Sequence, residues 1–263
     1  MKKSFFAVLL LLALSSLSAM ADARAMLNIK SPSALEANQG DLDILHRFFG
    51  SIFEQPLQSL FGINSGANVY IGYRYMIGSG FELNASYYWL YQEFTVGASY
   101  TYSMPFGLHT QADLQYFNLA SSATERAGGV YAAVSLQTDP LWGLFSPVLV
   151  TGYDSYYNRL GFGAGLLVTV MEGLSVIAEV YPPFGIGGTA HTDELAAYAT
   201  VSLGVRLDTF GHNFVFLVGN SYQMEERRLM AGSIGGPPGT GLGGTGFLNA
   251  LYLGFNVHRR FDY

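Results

Sequence analysis

The sequence predicts an all-β fold: an antiparallel up-and-down transmembrane β-barrel of about 12 strands, with a short helix in the first extracellular loop. Three observations predict it. Apolar and polar residues alternate with period two over runs near 10 residues long, the length a tilted strand needs to cross a bilayer. The connections between runs are alternately short and long, as in barrels with turns on one side of a membrane and loops on the other. Aromatic residues gather at both ends of the runs, where a bilayer has its two interfaces.

The chain opens with Lys2-Lys3, an apolar run from Phe5 to Leu14, and the small-residue site Ala19-Met20-Ala21. This is the pattern of a cleavable secretory signal, and the apolar run is too short to span a membrane as a helix. Residues 1–21 therefore read as a signal peptide, 22–40 as an N-terminal periplasmic segment, and 41–263 as an outer-membrane barrel.

Strands are expected at 41–49, 66–76, 80–90, 92–103, 106–118, 127–138, 142–151, 159–170, 173–181, 195–207, 212–222 and 247–258. The third and fourth show the pattern well. Phe81, Leu83, Ala85, Tyr87 and Trp89 alternate with Glu82, Asn84, Ser86 and Tyr88; Phe94, Val96, Ala98, Tyr100 and Tyr102 alternate with Glu93, Thr95, Gly97, Ser99 and Thr101. The seventh is the least regular, because Pro147 interrupts it. An even strand number puts both chain ends on the short-turn, periplasmic side. In the loop at 50–65, Ile52, Phe53, Leu57, Leu60 and Phe61 stand at helical spacing with Pro56 in the first turn. The helix expected there either lies on the outer interface or folds into the mouth as a plug.

Composition agrees. Half of the 263 residues are hydrophobic, 15% are aromatic and only 12% are charged, well below the quarter or more that a water-facing surface carries. With no cysteine, disulfides, thiolate metal sites and Cys nucleophiles are excluded. The net charge is −6, and Arg227-Arg228 and Arg259-Arg260 are isolated basic pairs, so nucleic acid is excluded as a partner.

The segment from Ser31 to Tyr102 carries Ser31-Pro32-Ser33, Gly40-Asp41-Leu42-Asp43-Ile44-Leu45-His46-Arg47-Phe48, Phe61-Gly62-Ile63-Asn64-Ser65-Gly66-Ala67-Asn68 and Gly72-Tyr73-Arg74-Tyr75. It resembles an uncharacterised bacterial family of outer-membrane β-barrels, the domain of unknown function 5777 group. The resemblance implies an outer-membrane barrel and brings no established activity. The closing alternation from Leu253 through Phe261 to Tyr263 resembles the signal by which barrel-assembly machinery recognises its clients.

No motif points to chemistry. Gly236-Pro237-Pro238-Gly239-Thr240-Gly241-Leu242 lacks the Lys that a phosphate loop needs, and no His stands at metal-ligand spacing such as H-E-x-x-H. His191, Asp193 and Glu194 share a loop as ordinary solvated polar residues. The chain reads as a non-enzyme with no cofactor, metal site or catalytic residue. The lumen-facing polar candidates are Asp43, Arg47, Arg74, Glu82, Glu93, His109, Asp113, Glu179, Arg206, His258 and Arg260. Their mixed signs should pair, since an unpaired charge in a narrow lumen is costly.

These features imply a narrow pore or transport-related barrel, porin-like, with a polar, partly filled lumen. The alternative is a non-conducting membrane scaffold for periplasmic or surface partners, redox proteins among them; an integral-membrane hydrolase is the third reading. The expected partners are outer-membrane lipid, the barrel-assembly machinery, and small solutes or periplasmic proteins.

Overall fold

A strand that must hide its backbone from lipid can bond only sideways, and a row of such strands has no exposed edge once the last meets the first. The computed structural model describes residues 25–120, 125–182, 185–187, 199–231 and 251–263. The signal segment 1–21, His191, Asp193, Glu194, Tyr198 and the stretch 236–242 lie outside the described residues. Twelve long strands are β1 (Gln39–Ser51), β2 (Ala67–Gly78), β3 (Phe81–Tyr88), β4 (Glu93–Met104), β5 (Leu108–Ala120), β6 (Arg126–Thr138), β7 (Phe145–Asp154), β8 (Arg159–Met171), β9 (Leu174–Tyr181), β11 (Thr200–Thr209), β12 (His212–Gly219) and β13 (Tyr252–Asp262). A two-residue strand, β10 (Ile186–Gly187), adds to the rim of β8. Each long strand pairs antiparallel with its neighbours, and β13 pairs with β1 to close the barrel.

The twelve expected strands are these twelve. The seventh begins three residues later than the pattern suggested, because Trp142 (φ 53°) and Gly143 (φ 73°) turn the chain before it can extend. Pro147 costs no ladder bond on the β6 side: that ladder ends at Gln137 opposite Val148, while Pro147 pairs with Leu166 of β8. The short turns suit their residues too; Gly173, at φ 74°, closes the tight connection from β8 to β9.

The outward face is apolar. Leu83, Phe94, Val96, Leu114, Leu149, Leu203 and Phe216 are exposed on it. Exposed aromatics mark both rims: Trp89, Tyr116 and Tyr153 at the long-loop end, Tyr102, Phe106, Trp142 and Phe210 at the short-turn end.

The first loop differs from expectation. It holds no α-helix, only a 3-10 turn at Ile63–Ser65. Its apolar residues have helical spacing, but Gln55, Leu60, Phe61 and Gly62 all take positive φ, which breaks the helix. The loop does not plug the mouth either, as Leu57 is 82% and Phe53 55% exposed. The one α-helix among the described residues, α1 (Glu226–Ala231), lies in the last long connection, and all six of its residues are buried.

The 22–40 segment was expected to stand apart from the barrel on the periplasmic side. Its described part instead runs through the lumen. Residues 25–29 and 31–33 are buried, bonded to inward side chains of β5, β9, β11 and β13.

Candidate functional site in the plugged lumen

Two pieces of chain fill the barrel: the N-terminal segment 25–35 and the segment 220–231 that ends in α1. The wall makes room for them with glycine. On β8, Gly161, Gly163 and Gly165 form an inward row. A Cβ on Gly161 would lie 2.5 Å from Cβ of Met230, and one on Gly165 would lie 2.5 Å from the terminal methyl of Met26. A Cβ on Gly204 of β11 would lie 2.7 Å from a terminal methyl of Leu27.

The lumen has two characters. Toward β5–β9 and β12 it is an apolar core, in which Met26, Leu27, Ile29, Leu229 and Met230 pack on Phe117, Val148, Val150, Leu167, Ile177, Val215 and Leu217. Each large side chain buried there contributes about 1.5–3 kcal/mol. The lumen is thus less polar than expected, because inward positions on those strands face chain rather than water.

At the long-loop end the lumen is a charge network. Arg227 bridges Glu93 of β4 and Asp154 of β7, with its Nη1 2.8 Å from Asp154 Oδ2. Arg228 donates to Glu93 at 2.6 Å and to Glu225 at 3.1 Å. Each guanidinium also lies on an aromatic ring, Arg227 3.8 Å above Phe117 and Arg228 3.7 Å above Tyr91. Three carboxylates thus face two guanidinium groups, and one is surplus. Burial, followed by the nearby Glu93, pushes Glu225 up to about 7. Glu226 is likewise pushed up to about 7, by burial, while it accepts a hydrogen bond from Tyr131 at 2.7 Å and one from the backbone N–H of Lys30 at 2.6 Å.

The eleven candidate residues all lie on the strands with side chains toward the interior. Glu93 joins the network above. Glu179 accepts from the backbone N–H groups of Leu27, Asn28 and Ile29. Arg47 donates to Asn28 and Asn256, each at 2.7 Å, and lies across from Gly254, which leaves it space. Arg206 reaches the carbonyl of Ala25 and pairs with Asp208. His258 meets Asp43 at 2.5 Å across β13 and β1. Arg74 pairs with Asp41 at 2.6 Å across β1 and β2. Its β3 neighbour Glu82 is instead bonded by Ser99 at 3.1 Å. Asp113 accepts from Gln111, and His109 sits between Ser103 and Asp139. Arg260 lies opposite Asp41 at the short-turn end.

Asp41, Asp43 and His258 bring one donor atom each within 4.8 Å of one another. Arg74, 2.6 Å from Asp41 and 3.6 Å from Asp43, already supplies the positive charge there. Between the inserted segments and β1–β5 a cavity of about 90 Å³ remains, lined by Lys30, Asp43, Tyr70, Arg74, Glu82 and Asp113 among others. Burial works against the Lys30 ammonium, but Tyr70, Asp113 and Glu226 around it hold its pKa above the ordinary value.

The strand pattern missed Lys30, Asp154 and the whole Glu225-Glu226-Arg227-Arg228 run. The one signal for that run was four consecutive charges in an otherwise weakly charged chain. Tyr91, Tyr156 and Tyr181 stand beside the long loops, where the sequence pattern places the outer aromatic belt, but they turn inward and pack on the inserted segments.

The family model for a membrane-bound beta barrel domain, DUF5777, matches residues 127–261. The chain belongs to the DUF5777 family of membrane-bound β-barrels. The match covers the C-terminal half, whereas the resemblance seen in the sequence lay in residues 31–102. In this DUF5777 barrel residues of that stretch hold the inserted chain: Arg47 binds Asn28, and Asn68 donates to the carbonyl of Tyr222. No curated protein matches the sequence. Among solved structures, the fold is similar to the KdgM porin (TM-score 0.53, 10% identity, 85% of this chain and 99% of that one). It is similar to the same porin in complex with disordered oligogalacturonate (TM-score 0.52, 10% identity, 85% and 99%). It is also similar to the NanC porin (TM-score 0.52, 8% identity, 84% and 100%). The likeness is one of fold: a porin-like 12-stranded barrel.

Proposed function

We propose that this protein is a narrow, transport-related pore of the outer membrane, non-enzymatic, held closed by its own chain. One observation carries the reading. Helix α1, buried in the lumen, is fastened by the charge pairs of Arg227 and Arg228 to strands β4 and β7. Such pairs fix a position strongly, yet their desolvation cost offsets much of their attraction, so they suit a part that is held rather than fused. The secretory pattern of residues 1–21 supports export, and with short turns on the periplasmic side the long loops and the Arg227 network would face outside. Lipid of that membrane is then the solvent of the apolar face.

A second reading has its own observation. The packing of Met26, Leu27, Ile29, Leu229 and Met230 on the wall resembles a soluble core and favours a barrel that never opens, a scaffold for periplasmic or surface proteins. Planar-bilayer recordings separate the two. The intact protein should show small or rare conductance, and a variant lacking residues 222–231 should show larger unitary steps. Silence from a correctly folded deletion variant would overturn the pore and leave the scaffold.

A further inference from the structure

We infer that the wall of this lumen is a site for organic cations, solutes bearing guanidinium or ammonium groups, whose places Arg227, Arg228 and Lys30 take in the closed state. The inference rests on the pore reading for its passage step. The recognition chemistry stands on three observations.

First, Glu93 and Asp154 are buried wall carboxylates whose ion pairs run to Arg227 and Arg228 of α1, while Arg159 of β8 stands opposite Asp154 in the ladder. When the helix leaves, two anions are left facing the lumen at its long-loop end. A water-filled passage lined by such carboxylates favours cations. Second, the wall around them has the shape of a receptor for planar cations. Phe117 and Tyr91 each present a ring face below 4 Å from a guanidinium carbon, beside a carboxylate that accepts its N–H groups. Aromatic faces combined with carboxylates are the usual means of binding a delocalised cation. Third, the same chemistry repeats deeper in the lumen. The cavity that Lys30 lines also has Glu82 on its wall, buried, with one carboxylate oxygen that has no hydrogen-bond partner. Lys30 shares that cavity with Asp113 as well as Glu82, and with Arg74 of the wall, so cationic groups of the inserted chain meet wall anions at two successive depths. A solute with a cationic end would meet these anions in turn, while an acidic solute would be repelled by both.

The test uses the full chain. In the double variant Arg227→Ala with Arg228→Ala, argininamide should raise the Tm in detergent. Sodium chloride at equal ionic strength and galacturonate should not, and the intact protein should not respond to argininamide. If that variant does not fold, Arg228→Gln, which keeps the Arg227 bridge, is measured in the same way. In bilayers under a salt gradient, the variant lacking 222–231 should show a reversal potential on the cation-selective side. No argininamide shift in a folded variant, an equal shift with galacturonate, or an anion-selective reversal potential would each overturn the cation site. Silence in the bilayer would overturn the pore, while the Tm shift would still decide the cation site.

Discussion

Met230 lies against Gly161 so closely that a Cβ added to the glycine would stand 2.5 Å from Met230 Cβ and 2.6 Å from its carbonyl oxygen. The neighbour includes main chain of α1, which cannot swing aside as a side-chain tip can. Gly161→Val should therefore push the helix off the wall. Overpacking of this kind costs about 1–3 kcal/mol, roughly a 5- to 160-fold shift toward the displaced helix. Limited proteolysis within 226–231 should accelerate accordingly, whereas Ala164→Val on the outward face of the same strand should leave it unchanged. Equal rates for both variants would show that the contact does not hold the helix.

Removing a buried ion-pair partner is the second lever. Arg227→Met leaves Glu93 and Asp154 without that guanidinium, and breaking a buried pair costs about 3–5 kcal/mol. The effect should be non-additive with Glu93→Gln, because the two residues share one interaction. A double-mutant cycle read by proteolysis of α1 measures the coupling; simple additivity would deny the pair its anchoring role.

The surplus carboxylate gives a pH dependence. Glu225 faces Glu93, Arg227 and Arg228, and Glu226 faces Tyr131 and Lys30; both are pushed up to about 7 when the helix is docked. In the released helix each returns toward the ordinary value of 4.5. Docking thus takes up protons. The docked state holds its full advantage below about pH 4.5 and loses it as pH rises through about 7, by on the order of 2–4 kcal/mol per group. Conductance should rise between pH 5 and 8, and Glu225→Gln combined with Glu226→Gln should flatten that rise. A rise on acidification would contradict the assignment.

The outward face makes a fourth test. Ala98 pairs with Leu83 and Leu114 in the middle of the apolar belt. Ala98→Arg places a charge toward the bilayer centre and should cost about 2–4 kcal/mol in refolding titrations, whereas Ala98→Leu should be nearly neutral.

What was legible in the sequence follows from what period two encodes. Alternation tells which side chains share a face, so the strands and the inward set from Asp43 to Arg260 could be read directly. It says nothing of a segment that is not a strand. The 25–35 segment and the Glu225–Arg228 run have no such period, and their burial comes from the wall around them. Asp154 was lost because the turn at Trp142-Gly143 shifts β7 by three residues. The inward row Gly161, Gly163 and Gly165 was visible in the sequence as part of a polar face. Its meaning, space for Met230, Tyr181 and Met26, needed the partners. In the first loop the apolar spacing was real, but Gln55, Leu60, Phe61 and Gly62, all at positive φ, overrule it.

The hydrogen bond from Leu27 N–H to Glu179 joins residues 152 positions apart, and Asn256 reaches the carbonyl of Leu27 across 229. Contacts so distant along the chain carry a large loop-closure cost and form slowly. The hairpins of neighbouring strands can zip early, but the interior is complete only once nearly the whole polypeptide has arrived. Closure of the barrel joins Gln39 to Asp262 over a comparable separation, so the filling of the lumen by residues 25–35 and 220–231 and the meeting of the first and last strands draw on the same late-arriving chain.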